Sequence, residues 1–505
     1  MNPLTIELSL VSHTNVGKTT LARTLLGRDV GMVRDEAHVT EVAEDFVLVE
    51  SDEGDRLRLW DTPGFGDSFR LARRLEASAN PIGWAMSQVW DRLRDRPLYS
   101  SQQALGNVRE VADVVLYLVS AAEDPAEAAY VDPEMRILGW IGKPVVVLLN
   151  QTGRPRSADA EAADLERWRE RMTAEKDVRA VIALDAFARC WIQEFALFDA
   201  IGLALPDDER RTGFARLVAA WRRRRVDVFT RSIELLAGRI AAAARDRVVV
   251  RDPGITGRLR ALGATLGLAE SDDQPALVDA SKAMARRLDE SVRASTDRLI
   301  DLHGLEGSAS GEVLVRLAEH YAVTRKLDEG KAAVLGGLVT GALAGLKADI
   351  ATGGFTLGGG LIAGGVLGAL GGAGIARGYN MIRGATEVRV AWNSEVLERL
   401  VSSSLLGYLA VAHFGRGRGQ WREAEHPAHW ESVVTEVVVA EHDALIEILE
   451  HLAQVPDAAA PDAARAALGE LLGTLAWRVL GTLYPDAVAR FGEPPCLAAT
   501  GFRAR

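Results

Sequence analysis

The sequence predicts an α/β domain, a mostly parallel sheet with helices on both faces, followed by an all-α domain that carries a glycine-rich apolar helical hairpin. Three observations predict it. Over residues 1–205, short β-branched runs alternate with helical stretches, the pattern of a parallel sheet covered by helices. Past Pro206-Asp207-Asp208-Glu209 the strand signal nearly vanishes and helical periods dominate. Of 48 glycines, 17 fall between Gly330 and Gly378, a clustering foreign to an ordinary soluble enzyme.

The strand candidates are Thr5–Val11, Phe46–Glu50, Arg56–Trp60, Val114–Ser120, Val145–Leu149 and Val181–Leu184. Between the third and fourth, the segment of about 68–111 reads as helical. It is too long for a simple connection and is expected to be an insertion in or beside a mobile region. Helical periods then run over Phe214–Arg245, Pro275–Leu302, Gly311–Glu329, Arg383–Val411, Val433–Val455 and Ala459–Leu483. The expected organisation is an α/β domain at 1–205, a first helical part at 206–330, the hairpin at 331–378 and a second helical part at 379–505.

With 59 basic and 70 acidic side chains the formal charge is −11, which argues against a general nucleic-acid-binding surface. Two cysteines, Cys190 and Cys496, cannot build a disulfide framework, so a reducing cytosol is the expected compartment. Met1 to Leu10 lacks the charged-then-apolar pattern of a signal peptide, and none is expected there.

Ser12-His13-Thr14-Asn15-Val16-Gly17-Lys18-Thr19-Thr20 follows the first strand and opens a helix. This is the P-loop pattern, with Ser12 in place of the first glycine. Its chemistry needs a tight loop whose N–H groups face phosphate, backed by a helix N-terminus. Gly17 permits close approach, Lys18 reaches the β- and γ-phosphates, and the Thr19 hydroxyl coordinates Mg²⁺. Asp61-Thr62-Pro63-Gly64 follows the third strand; Asp61 suits the Mg²⁺ shell and the Gly64 N–H suits a γ-phosphate sensor. Thr40, between these two motifs, is placed to close on Mg²⁺ through its hydroxyl.

Asn15-Val16-Gly17-Lys18-Thr19, Thr40, Asp61-Thr62-Pro63-Gly64 and Ala112-Asp113-Val114-Val115-Leu116 together resemble the Era/TrmE-like group of translation-factor-related P-loop GTPases, over roughly the first 190 residues. The insertion, Asn150-Gln151-Thr152-Gly153 and the glycine-rich C-terminal part look like a bacterial family that joins this domain to a C-terminal domain of unknown function. The resemblance implies a GTPase that binds GTP or GDP with Mg²⁺ through Asn15, Val16, Gly17, Lys18, Thr19, Thr20, Asp61, Gly64, Asn150, Gln151 and Asp185. Lys18, Thr40, Gly64 and Asn15 would serve hydrolysis, and Thr19, Thr40 and Asp61 would hold the metal.

Two departures matter. In the group, a fourth motif of Asn-Lys-x-Asp reads the guanine edge; here Asn150 is present, but Gln151 and Gly153 stand for the Lys and Asp. Asp185 sits where the fifth motif lies. Guanine preference is thus implied by the resemblance, with relaxed or adenine preference as the alternative. Phe65 follows Gly64 where Ras-like enzymes place a water-orienting glutamine. Asn15 matches the asparagine that helps cation-dependent members hold K⁺, an ion that would neutralise transition-state charge; the other reading is that Asn15 only shapes the loop. Slow intrinsic hydrolysis, stimulated by K⁺ or self-association through the GTPase domain, is expected.

In the glycine-rich segment, Ala333, Gly337, Gly341 and Gly345 recur every fourth residue, as do Gly360, Gly364, Gly368 and Gly372. Such ladders let two helix backbones approach closely. Each arm would reach about 22–24 Å as a helix, short of a bilayer core of about 30 Å. The hairpin either packs inside a helical bundle or contacts membrane lipid or a membrane protein. The expected protein is a cytoplasmic GTPase switch, at the inner face of the membrane in the second case, whose helical part follows nucleotide state. The alternatives are a soluble ribosome- or RNA-associated GTPase and a GTPase-gated membrane-permeabilising effector. Arg222–Arg225 is read as a solvated helix face paired with acids, or else a lipid-headgroup contact.

Overall fold

The computed structural model describes residues 3–27, 43–77, 80, 96–150, 158–184, 190–251, 274–305, 379–383, 387–413, 428–454, 462–492 and 494–495. Two compact units form: one from the described residues of Met1–Asp227, Ala412–Ala424 and Asp486–Gly492, the other from those of Val228–Val411, Glu425–Pro485 and Glu493–Arg505.

In the first unit the order is β1 (Thr5–Ser12), α1 (Lys18–Leu26), β2 (Glu44–Glu50), β3 (Arg56–Asp61), α2 (Ser68–Glu76), α3 (Arg96–Glu110), β4 (Val114–Ser120), α4 (Val131–Ile141), β5 (Val145–Asn150), α5 (Ala158–Met172), β6 (Val178–Ala183) and α6 (Glu194–Ala204). All six expected strands are present, and their spatial order is β2-β3-β1-β4-β5-β6. β2 runs antiparallel to β3; every other pairing is parallel. Every residue of β4 and β5 is buried, because helices cover both faces of a parallel sheet. The described ends of the expected insertion are helices in the main core: Leu71 and Leu75 of α2 pack with Leu98, Leu105 and Val108 of α3.

Helix α7 (Asp208–Arg245) begins six residues before the apolar period does. Asp207 accounts for this, since its carboxylate accepts the Arg210 N–H at 2.8 Å and so caps the first turn. The four-arginine run lies on this helix, and three of its members are engaged with protein. Arg222 sits 4.0 Å over the Phe491 ring, Arg223 pairs with Asp52, and Arg225 donates to both oxygens of the buried Glu194.

The second unit holds the rest of α7, β7 (Arg247–Arg251), α8 (Gln274–Leu302), β8 (Tyr379–Arg383), β9 (Glu387–Trp392), α9 (Ser394–Ala412), α10 (Ala428–Ala440), α11 (His442–Gln454) and α12 (Asp462–Leu483), and the chain continues into α13 (Pro485–Phe491). Phe229 of α7 packs edge-on against Tyr408 and Trp477, with ring centroids 5.8 and 6.2 Å away.

The expectation of an all-α second part is corrected here. β7, β9 and β8 form an antiparallel sheet with β9 in the centre, and the expected helix Arg383–Val411 starts on the last residue of β8 and holds β9 before the helix α9. The period-2 signal is visible in β9, where Val390 and Trp392 are buried while Arg389 is exposed and Ala391 half-buried. It is short, and β7, its partner, is far away in sequence, so nothing local marks the pairing. The expected helix Val433–Val455 is likewise two helices, parted at Glu441 after the β-branched run Val437–Val439. The hairpin at 331–378 and the expected helix at 311–329 lie outside the described residues. Among the described residues, no helix is long and apolar enough to cross a membrane.

Candidate functional site

The carboxyl ends of β1, β3 and β5 meet at one place, where open parallel sheets bind ligands. The loop after β1 turns into α1 through two left-handed residues, Asn15 at φ 65 and Gly17 at φ 94. Asparagine tolerates that conformation better than most side chains, and glycine has no Cβ to oppose it. Helix α1 starts with no side-chain cap and no acidic residue in its first turn. Its leading N–H groups therefore face the loop as an anion-binding end.

The loop is tied down by its carbonyls. Phe65 N–H donates to Ser12 O at 2.9 Å, the Ser12 hydroxyl donates to His13 O, and Asn150 Nδ2 donates to Val16 O at 2.7 Å. With carbonyls turned outward into these bonds, the loop amides turn toward the concave side, the orientation a phosphate needs.

Lys18 is buried at 7 % exposure and donates to the Ser12 hydroxyl at 2.9 Å. Burial lowers its pKa, opposed by the charges of Asp61 and Glu134. Thr19 donates its hydroxyl hydrogen to Asp61 Oδ2 at 2.6 Å. Asp61 is 2 % exposed, and its other oxygen, Oδ1, has no hydrogen-bond partner. Burial pushes its pKa up to about 6, against the pull of the Thr19 hydrogen bond and of Lys18. A buried carboxylate oxygen left unpaired costs about 1–3 kcal/mol or more, and a hydroxyl and a carboxylate side by side are donors that a hard divalent cation takes. The donor set fits Mg²⁺.

Gly64 closes the far wall. A Cβ there would lie 3.0 Å from Lys18 Nζ and 3.1 Å from the Thr14 backbone, so glycine lets the β3 turn approach this closely without displacing either. Phe65 is fully buried in the hydrophobic core, and position 65 presents no group to the site. Val16 and Thr20 are buried and Asn15 is exposed. The structure thus brings together Asn15, Val16, Gly17, Lys18, Thr19, Thr20, Asp61, Gly64 and Asn150. Thr40, Gln151 and Asp185 lie outside the described residues.

One cluster beneath the loop escapes sequence reasoning. Glu134 of α4 is wholly buried; it accepts from His13 Nδ1 at 2.9 Å and from the Tyr117 hydroxyl at 2.7 Å. Burial raises its pKa, against the His13 and Tyr117 hydrogen bonds. His13 also stacks on Tyr130 at 4.7 Å. The one signal in the sequence is a charge on the apolar face: Glu134 shares the i, i+3, i+4, i+7 spacing of Val131, Met135 and Leu138.

Residues 7–151 match the family described as "50S ribosome-binding GTPase", and this part of the chain is a P-loop GTPase domain. Among solved structures, Era in complex with MgGDPNP and nucleotides of 16S ribosomal RNA is similar at 17 % identity, covering 50 % of this chain and 75 % of that one, with a TM-score of 0.30. Aquifex aeolicus Era bound to GDP and AlF4⁻ is similar at 17 % identity over the same shares, with a TM-score of 0.29. The FeoB G-domain from Methanococcus jannaschii is 18 % identical, covering 36 % of this chain and 86 % of that one, at a TM-score of 0.20. Scores this low carry no argument; the fold rests on the sheet order and loop geometry above. No curated protein matches the chain. Residues 170–474, more than half of its length, match a single family, and the chain belongs to that family, described as "Domain of unknown function (DUF3482)".

Proposed function

We propose that the protein is a Mg²⁺-dependent GTP-binding and GTP-hydrolysing switch, slow without activation, whose helical part and apolar segment associate with membrane or a partner according to nucleotide state. The observation that carries the nucleotide reading is Asp61: buried beside Lys18, held by Thr19 through one oxygen and unpaired at the other. Thr19 and Asp61 would hold Mg²⁺, with Thr40 joining from the segment between their two motifs. The metal, when bound, neutralises developing phosphate charge. The chain's own residues do the rest. Lys18 leaves the Ser12 hydroxyl for the β- and γ-phosphate oxygens, the α1 amides take the phosphates, and the Gly64 N–H takes the γ-phosphate.

Slow hydrolysis follows from Phe65, whose burial leaves that position without a water-orienting group. Asn15, exposed and left-handed at the loop mouth, is the residue through which K⁺ would act. Guanine is the base we assign, with Asn150 bracing the loop and Gln151 and Asp185 as the residues that would contact the base. The four-residue glycine ladders within 331–378 support membrane or partner association. Self-association through the GTPase domain would supply activation.

A second reading, ribosome or RNA association, has the description of the family matched over 7–151 in its favour and the net charge of −11 against it.

The test is equilibrium binding of fluorescent GTP and ATP analogues with and without Mg²⁺, beside Lys18→Ala. Tight Mg²⁺-dependent binding lost in Lys18→Ala is expected; equal, weak binding by both proteins would sink the nucleotide reading. Flotation with anionic liposomes in GDP and in a non-hydrolysable GTP analogue tests the membrane half, which falls if the protein stays unbound in both.

A further inference from the structure

A loop whose amides must stay available to phosphate cannot use them to hold its own shape. Its backbone is tied by the Ser12 hydroxyl on His13 O, by the Phe65 N–H on Ser12 O with His13 bridged to Phe65, and by Asn150, and a further hold ties this arc to α4. His13 supplies the hold. Its ring is clamped between the Tyr130 face and the Glu134 carboxylate. The second Glu134 oxygen is braced from β4 by the Tyr117 hydroxyl.

Helix α4 otherwise presents Val131, Met135 and Leu138 to the core. An apolar side chain at 134 would complete that face without desolvating a charge. A fully buried carboxylate costs several kcal/mol unless its partners repay it, and replacing such a pair by apolar packing is often neutral or stabilising. Packing alone therefore does not account for Glu134. One of its two partners, His13, lies in the phosphate loop, and its charge reaches Lys18.

We propose that Glu134 and His13 are positioning residues of the phosphate site: Glu134, braced by Tyr117, holds His13 and with it the Ser12–Thr14 arc in the shape that receives the β- and γ-phosphates before a nucleotide arrives. This rests on the nucleotide-binding reading above. The pair acts through the loop and touches no reacting atom. Its effect falls on capture of the nucleotide and spares the chemical step, because shape held in advance lowers the cost of binding.

The experiment compares wild type, His13→Ala, Glu134→Gln, the double variant, His13→Gln and Met135→Ala by nucleotide affinity, steady-state hydrolysis and thermal unfolding of the nucleotide-free protein. Met135, the next residue of α4 and buried in the hydrophobic core, serves as a control for loosening of the helix. In His13→Ala and Glu134→Gln, affinity falls and KM rises by about tenfold, while kcat stays within about two-fold. The double variant is no worse than the worse single. His13→Gln, which keeps an N–H donor for Glu134, recovers most of the loss. Met135→Ala melts lower but binds as wild type. Wild-type affinity in both single variants, additive losses in the double, or an equal loss in Met135→Ala would each overturn the proposal. A wild type that binds no nucleotide would overturn the nucleotide reading itself, and this inference with it.

Discussion

Strand β3 has a buried aspartate at each end, and the two are held in opposite ways. Asp55, just before the strand, is fully buried. It accepts the Arg216 guanidinium through both oxygens at 2.6 and 3.0 Å, together with the Leu4 N–H at 2.9 Å. The Arg216 hydrogen bond holds its carboxyl below the ordinary range against the cost of burial. Asp61, at the other end, has Thr19 on one oxygen and nothing on the other, and burial pushes it up to about 6. One carboxylate is satisfied by the chain and serves the fold, joining β3 to α7. The other is left short of partners within the chain, where a ligand would complete it.

The largest expected effect breaks the satisfied end. Arg216→Ala leaves Asp55 buried and unpaired and is expected to cost about 3–5 kcal/mol of stability, read as a lower denaturation midpoint. The sign with pH follows from the lowered pKa: the pair's stabilisation is present above the unfolded value of 3.8 and is lost as pH falls through the folded one. Wild type should therefore lose stability on acidification below about pH 4 more steeply than Arg216→Ala; parallel curves would show that the pair contributes nothing.

At the other end the same kind of change has the opposite sign. The raised Asp61 pKa means that its stabilising protonated form is complete below 3.8 and is lost as pH rises through about 6. Asp61→Asn removes the buried charge, so in metal-free buffer at pH 8 the variant is expected to be more stable by at most about 3 kcal/mol. That advantage should shrink between pH 6 and pH 4. With Mg²⁺ and nucleotide the order reverses, since only wild type gains from binding. An Asp61→Asn protein that is less stable at pH 8 would show that Asp61 is a structural carboxylate like Asp55.

Gly64→Ala sharpens the comparison at its wall. The added Cβ would crowd Lys18 Nζ and the Thr14 backbone, and displacing them is expected to cost about 1–3 kcal/mol, mostly as weaker nucleotide binding. Unchanged affinity would mean that the β3 turn is not part of the site. The smallest effect is expected at Arg223, whose pair with Asp52 is exposed on both sides. Arg223→Ala should change stability by less than about 1 kcal/mol and leave liposome binding unchanged; lost liposome binding would reinstate the arginine run as a lipid contact.

Much of the first unit is legible in the amino-acid order. Most of its six strands announce themselves by short β-branched or apolar runs, which suit a sheet whose central strands β4 and β5 are buried throughout. The phosphate loop is legible because Gly17, Lys18 and Thr19 are consecutive and their chemistry depends on one turn. The start of α7 is less legible, since the cap at Asp207 extends the helix beyond its apolar period. The β7-β9-β8 sheet escapes a local reading because each strand is five or six residues long and acquires meaning only from partners far along the chain.

By itself the sequence determined the α/β class, the strand set, the phosphate loop and the candidate metal-binding pair Thr19 and Asp61, all of which rest on local spacing or on residue chemistry. Only the tertiary structure decided which buried charges are satisfied. Asp55 and Arg216, like His13 and Glu134, are more than a hundred positions apart, and a carboxylate's role depends on the donors that reach it once solvent is excluded. No local pattern carries that information, because it belongs to the packing.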